Sequence, residues 1–440
     1  MISWADKFPS GSLAWMLLLT LLPVAFIGVG YFLTLSALLS TPRRMALLRS
    51  VPVLIAAVSL AWAMWGYTLA FGPSWGSIPD ISDLPPRPMY VNFEEMRVAE
   101  DAIQDTTHLY GRGGLIGGLE FVGMQDIIPV AGTESVQFPV RRPYLHLPHP
   151  VNLCFRALSV FVAITPLWIV WGRRHSIVVV GGCSLIWVTL VFAPVAHWVW
   201  GDGYLERLGT IDFGGGLIYL AVACSVVGWL RPERSDPSDP DTTDTPADLF
   251  RPAIGALALW LGATMYFVAQ TFQADGRAAL TLVNMQLGLS ACVLAWGGTN
   301  LFVWGREASY RLEWGVLAAV AGMAGAAGYL LPHSVILLGL MVGMLCNVLD
   351  HWAQHRSSPE WPLATSLGVG SIVGLVGAGL LATTAAAGNR WDHRPISGAI
   401  QGEFQQVLYQ LAGIAAVAVW ALLVSWVMRA VHSRLGRPEI

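Results

Sequence analysis

Charge is scarce in this chain. Of 440 residues, 12% are Asp, Glu, Lys or Arg, against about 25% in an ordinary soluble domain. Most of the length is therefore not built to face water. No basic patch interrupts the net charge of −3, which argues against a nucleic-acid partner. Cysteine is sparse too. Cys154, Cys183, Cys224, Cys292 and Cys346 each fall in a different apolar run, and none belongs to a CxxC pair. A disulfide framework or a cysteine-held metal is thereby disfavoured, and small buried thiols are expected. The chain has no HExxH, no GxSxG and no paired carboxylates within an apolar run, so neither an intramembrane enzyme nor a cofactor is expected. The stretch MISWADKFPS carries no basic leader, so a cleavable signal is not expected.

What the chain does have is long apolar runs. Hydrophobic residues make up 55% of it, and about 20 in succession suffice to cross a bilayer as a helix. The pattern predicts an all-α polytopic membrane protein with spans near 12–39, 51–71, 151–171, 177–199, 213–230, 252–272, 279–304, 314–331, 334–351, 364–387 and 404–430. Eleven spans put the termini on opposite sides. One set of connections holds Arg43, Arg44, Arg49, Arg173, Arg174, Arg231, Arg234, Arg251, Arg306, Arg311 and Arg356, plus Arg429, Arg434 and Arg437 in the tail. The other, leaving out one long loop, holds Lys7, Arg207, Arg277, Arg390 and Arg394. That bias places the N-terminus outside and the C-terminus in the cytoplasm of a plasma (inner) membrane. The long loop is 72–150, with a short surface helix expected from the capping-box spacing of Asn92 and Glu95. A Pro/Asp-rich cytoplasmic linker, 231–250, separates five spans from six. A 5+5 inverted repeat plus one helix would suit that division. Gly339 with Gly343, and Gly370 with Gly374, have the spacing that lets helices pack closely.

Several segments taken together resemble the ammonium transporter (Amt/Mep/Rh) family. They are WGYTLAFGPSWG (65–76), GGLIGGLEFVG (113–123), YLHLPHPVNLCFR (144–156), PVAHWVWGDGYLERLGTIDFGGG (194–216) and LTLVNMQLGLSACVLAW (280–296). The 194–216 stretch is the longest ordered match. The likeness spans most of residues 1–440 as one membrane domain, with 78–112 as an extracytoplasmic insertion. It implies a homotrimer, each protomer with its own narrow hydrophobic pore for ammonia or ammonium. It also implies an outer aromatic vestibule and a pair of histidines deeper in.

Mapped residue by residue, the resemblance makes Phe155 a vestibule aromatic and Trp200 the cation-binding tryptophan. Asp212 becomes the carboxylate that organises the site, a role compatible with simple capping of a helix N-terminus. Asp202 stands where the family has glycine and reads most simply as a solvated loop acid. The departures are as specific. Ser159 replaces one gating phenylalanine and Tyr266 the other, while Gln270 replaces a serine that accepts from ammonium. Arg156 replaces a glutamine, and would oppose cation entry unless it is paired or points away, for instance by snorkelling to the outer surface. Leu220 and Leu367 stand at the two histidine positions. The ten histidines are His108, His146, His149, His175, His197, His333, His351, His355, His393 and His432, and none falls in the middle of an assigned span. Leucine cannot relay a proton as imidazole can. Two readings follow: a channel passing ammonia, ammonium or another small neutral species, or a non-conducting relative that senses or binds a ligand.

Overall fold

The computed structural model describes residues 23, 25–75, 90–91, 113–125, 127, 130–131, 136–139, 149–230, 246–272, 274–353, 358–388 and 395–435. Most of the 78–112 insertion and of the 231–250 linker, and the expected helix after Asn92, lie outside these residues. The rest is a bundle of apolar helices. We label them α1 (Ala25–Leu35), α2 (Thr41–Phe71), α3 (His149–Gly172), α4 (Ile177–Trp187, continued through Val188–Phe192 and Ala193–Trp200), α5 (Gly216–Trp229), α6 (Pro246–Ala269), α7 (Gly276–Phe302), α8 (Leu312–Ala324), α9 (Pro332–Ala353), α10 (Trp361–Leu381) and α11 (Gln405–Leu435). Among the described residues, eight are long and apolar enough to cross a membrane, and α1, α5 and α8 are shorter apolar helices. Exposed Val53, Leu60, Val178, Leu294 and Phe302 put hydrocarbon on the outer surface, as lipid requires and water does not.

The helices begin where local chemistry allows, which is not always where hydropathy rises. Helix α2 starts at Thr41, ten residues before the apolar window, because Pro42 sits at its first positions after an extended Ser40. Two helices stop short. The segment before α5 turns back at Asp212–Gly215, and α8 ends at Ala324 instead of reaching 331. These interruptions meet: the Gly214 amide donates to the Ala324 carbonyl at 2.7 Å. Gly215 takes φ +107°, a conformation closed to most side chains. At Gly214 a Cβ would strike the Phe267 ring.

Helix α5 packs on α10 and α11, α8 on α10, and α7 on α9. The expected small-residue seams are used. A Cβ at Gly343 would overlap the Cys292 carbonyl of α7, and one at Gly374 would overlap Gly322 of α8. Cys154, Cys183, Cys224, Cys292 and Cys346 are all free thiols. Among the described residues, the departure from an all-α reading lies in the long loop, where short antiparallel strands form. Ser74–Trp75 pairs with Ile116–Gly117, and Val136–Pro139 pairs with both Tyr90–Val91 and Val130–Ala131.

Candidate functional site

The loop-bearing end of the bundle gathers the ends of α2, α3, α4, α5 and α6. Its frame is polar and local. His197 sits inside the VAHWVWG stretch and is fully buried. Its Nδ1 donates to the Ala70 carbonyl at 3.1 Å and its Nε2 accepts from Ser74 Oγ at 2.9 Å. The Trp198 indole donates to the Leu115 carbonyl at 2.7 Å, so the GGLIGG segment is clamped over α4. Asp202 lies in the following turn with φ +66°, its backbone amide held by Glu206 Oε2 at 3.0 Å. His197 is thus a rivet between α2 and α4.

Asp212 is spent in the same way. Oδ1 accepts from the Gly215 and Gly216 amides, each at 2.8 Å, and Oδ2 accepts from Leu217 at 2.8 Å. Three amide donors at a helix N-terminus hold a carboxylate firmly. The Asp212 carbonyl in turn accepts the Trp200 indole N–H at 3.0 Å. So Asp212 fixes the plane of Trp200, and its carboxylate also lies within electrostatic reach of the group on the face of that ring.

What lies on that face is Arg156. The sequence left open a side chain snorkelling to the surface. The structure turns it inward, 3% exposed. Its guanidinium stands 4.1 Å above the Trp200 ring, and 5.4, 5.6 and 5.8 Å from Phe155, Phe272 and Phe71. Its Nη1 reaches Gln270 Oε1 at 3.4 Å. An aromatic cage suits a cation, and here it already surrounds one carried by the chain. Phe71 and Phe272 escaped the sequence reading. Phe272 is placed by a backbone at φ +57°, and no periodicity announces such a turn.

Directly inside, Phe155 and Tyr266 stack at 6.0 Å with 6° between their planes. The Tyr266 hydroxyl donates to Ser159 Oγ at 2.7 Å, so both substituted gating positions have become polar partners. Behind them lies a cavity of about 10 Å3 bounded by Ser159, Val162, Ala163, Trp200, Gly214, Gly215, Ile218, Tyr219 and Tyr266. That is room for about one water-sized molecule. Leu220 and Leu367 are buried and are not part of this wall. Tyr219, one residue before Leu220, contributes to the wall, which is almost wholly apolar. Among the described histidines, His149 bonds the Tyr67 hydroxyl at 2.8 Å, His175 and His432 pack together at 4.6 Å, and His351 stacks on Trp304 at 3.8 Å. Glu360, just before α10, pairs with Arg173 and Arg174 at 3.1 and 3.3 Å. It ties the α3–α4 turn to the start of α10.

Residues 143–436, well over half of the chain, match the Ammonium Transporter Family. The chain belongs to that family. Among proteins similar to it are an ammonium transporter of Bacillus subtilis (strain 168), 24% identical over 383 residues covering 85% of this chain and 80% of the relative. Another is Ammonium transporter Amt1 of Archaeoglobus fulgidus, 24% identical over 459 residues, covering 97% and 93%. The crystal structure of Saccharomyces cerevisiae Mep2 shares the fold, with a TM-score of 0.75 at 22% identity over 96% of this chain and 88% of that one. Family membership makes the protein a multi-pass, ammonium-transporter-like membrane channel and not an enzyme.

Proposed function

We propose that the protein conducts ammonia, the neutral species, and excludes ammonium. The observation that carries this is the guanidinium of Arg156 inside the aromatic cage. Two unit charges about 5 Å apart repel by roughly 3 kcal/mol at an effective dielectric near 20. A cation–π contact returns about 0.5–2 kcal/mol, so repulsion wins and a second cation is turned away. A neutral molecule meets no such barrier. Further in, Leu220 and Leu367 would continue the path in hydrocarbon, which penalises charge again. Phe155, Trp200 and Gln270 then serve to hold Arg156, and Tyr266 with Ser159 to gate the entrance.

The same reading takes α1, α5 and α8 as spans, giving eleven, and the 5+5 division as an inverted repeat. It places the N-terminus outside, the C-terminus in the cytoplasm, and three copies in the assembly. Proteoliposomes test the central claim. An imposed ammonia gradient should alkalinise the lumen quickly, and an ammonium pulse should produce no current. Robust ammonium currents would refute neutral conduction. Absence of any ammonia flux, together with saturable ammonium binding, would favour the sensing alternative.

A further inference from the structure

We infer that a hollow at the end of the bundle away from the long loop binds a small zwitterion of the α-amino-acid class. The inference is independent of neutral conduction. The hollow has a volume of about 460 Å3, inside the range of about 300–1,000 Å3 usual for small-molecule sites. It lies among the first turns of α6, α8 and α10 and the end of α9. Among the described residues, the charged groups that line it are Arg311 and Glu313. Arg311 stands at the N-cap of α8 with φ +54°, a conformation uncommon outside glycine. Its Nη2 donates to Asp350 Oδ1 at 3.1 Å, and the guanidinium lies 5.7 Å from the Trp314 ring. The Asp350 side chain is 3% exposed, whereas that of Arg311 keeps 22%. Asp350 thus holds the guanidinium from within, and the rest of the group is left to the hollow.

Glu313 follows two residues later, in the first turn of α8. It lies within electrostatic reach of Arg311, yet among the described residues the two form no salt bridge with each other. A fork of donors and a carboxylate therefore border one space, neither spent on the other. A simple anion that reaches Arg311 meets the Glu313 and Asp350 carboxylates. A simple cation that reaches Glu313 meets the guanidinium. Like charges about 5 Å apart repel by roughly 3 kcal/mol at an effective dielectric near 20, so either ion loses much of what it gains. A zwitterion satisfies both groups. Its carboxylate accepts from the guanidinium, whose planar fork suits two parallel hydrogen bonds. Its ammonium donates to Glu313. Leu38, Pro252 and Trp314 give its side chain an apolar surface to lie on. On the proposed topology the hollow faces the cytoplasm, so the ligand comes from inside the cell.

Isothermal titration calorimetry on the purified full-length protein tests this. L-alanine and L-glutamine are the probes, with sodium acetate and methylammonium chloride as single-charge controls. At least one amino acid should bind saturably, and about tenfold more tightly than either control. E313Q keeps the shape of the wall and removes the charge that meets the ammonium. It should weaken amino-acid binding by about tenfold, the worth of one charge-assisted hydrogen bond. Saturable binding of neither amino acid overturns the inference. So does a control that binds as well, which makes the hollow a plain anion or cation site. Wild-type affinity in E313Q also overturns it, by placing the ligand elsewhere. Should E313Q fail to fold, R311K decides in its place. It keeps a cation beside Asp350 but loses the planar fork. Weakened binding in R311K supports the inference, and wild-type affinity overturns it. None of these results bears on the proteoliposome test of neutral conduction.

Discussion

Arg156 and Asp212 show how a single position can turn the chemistry of a shared scaffold. Arg156 places a permanent charge where a transported cation would rest, within 4.1 Å of the Trp200 ring. Removing that charge lowers the entry barrier for a cation by roughly 3 kcal/mol, about a hundredfold in rate. R156Q should therefore gain ammonium-evoked current in solid-supported-membrane recordings, and a current-free R156Q would show that the barrier lies deeper. Asp212 acts through Trp200 and the helix start. D212A strips three amides of their acceptor, which should cost about 2 kcal/mol or more. The checks are a lowered melting temperature and increased solvent access to the Trp200 indole by fluorescence quenching. An unchanged melting temperature would mean that the amides find other partners.

At the scale of elements, the site exists because helices are interrupted. The breaks before α5 and after α8 meet through the Gly214–Ala324 hydrogen bond, and this lets Tyr219 and Ile218 face a cavity near the loop-bearing end. Close helix pairs hold the breaks in place. Gly374 of α10 has no room for a methyl group against Gly322 of α8. G374A should destabilise the fold by about 1–3 kcal/mol through overpacking, and a thermal melt in detergent measures it. G276A provides the control, since a Cβ there meets open space. Equal effects from the two would contradict the packing argument.

Considered as a whole molecule, the bundle is braced by polar contacts at its two ends. His197 and the loop strands brace one end. Glu360 with Arg173 and Arg174 braces the other. The arginine distribution predicts a cytoplasmic C-terminus, so a green fluorescent protein fused after residue 440 should fluoresce in cells. A dark fusion with normal expression would reverse the topology. Native mass spectrometry should find three copies, and a monomer alone would remove the trimer from the proposal.

Much of this was legible in one dimension. Hydropathy located the apolar helices among the described residues, because lipid demands long uninterrupted runs whatever the neighbours. The glycine spacings named the α7–α9 and α8–α10 seams, and the ordered 194–216 stretch named Trp200 and Asp212. Helix ends were less legible: Thr41 and Ala324 are set by a proline start and by a contact with a distant loop. The decisive features depended on side-chain direction. Whether Arg156 faced lipid headgroups or the cage, whether Ser159 and Tyr266 paired, and that Tyr219 reached the chamber ahead of Leu220 are matters of rotamer and helix rotation. The sequence determined that this chain lives in lipid, and in which family. Tertiary packing alone decided that its aromatic cage comes already filled, because a charge is fixed in place only by the rings and dipoles the fold brings around it.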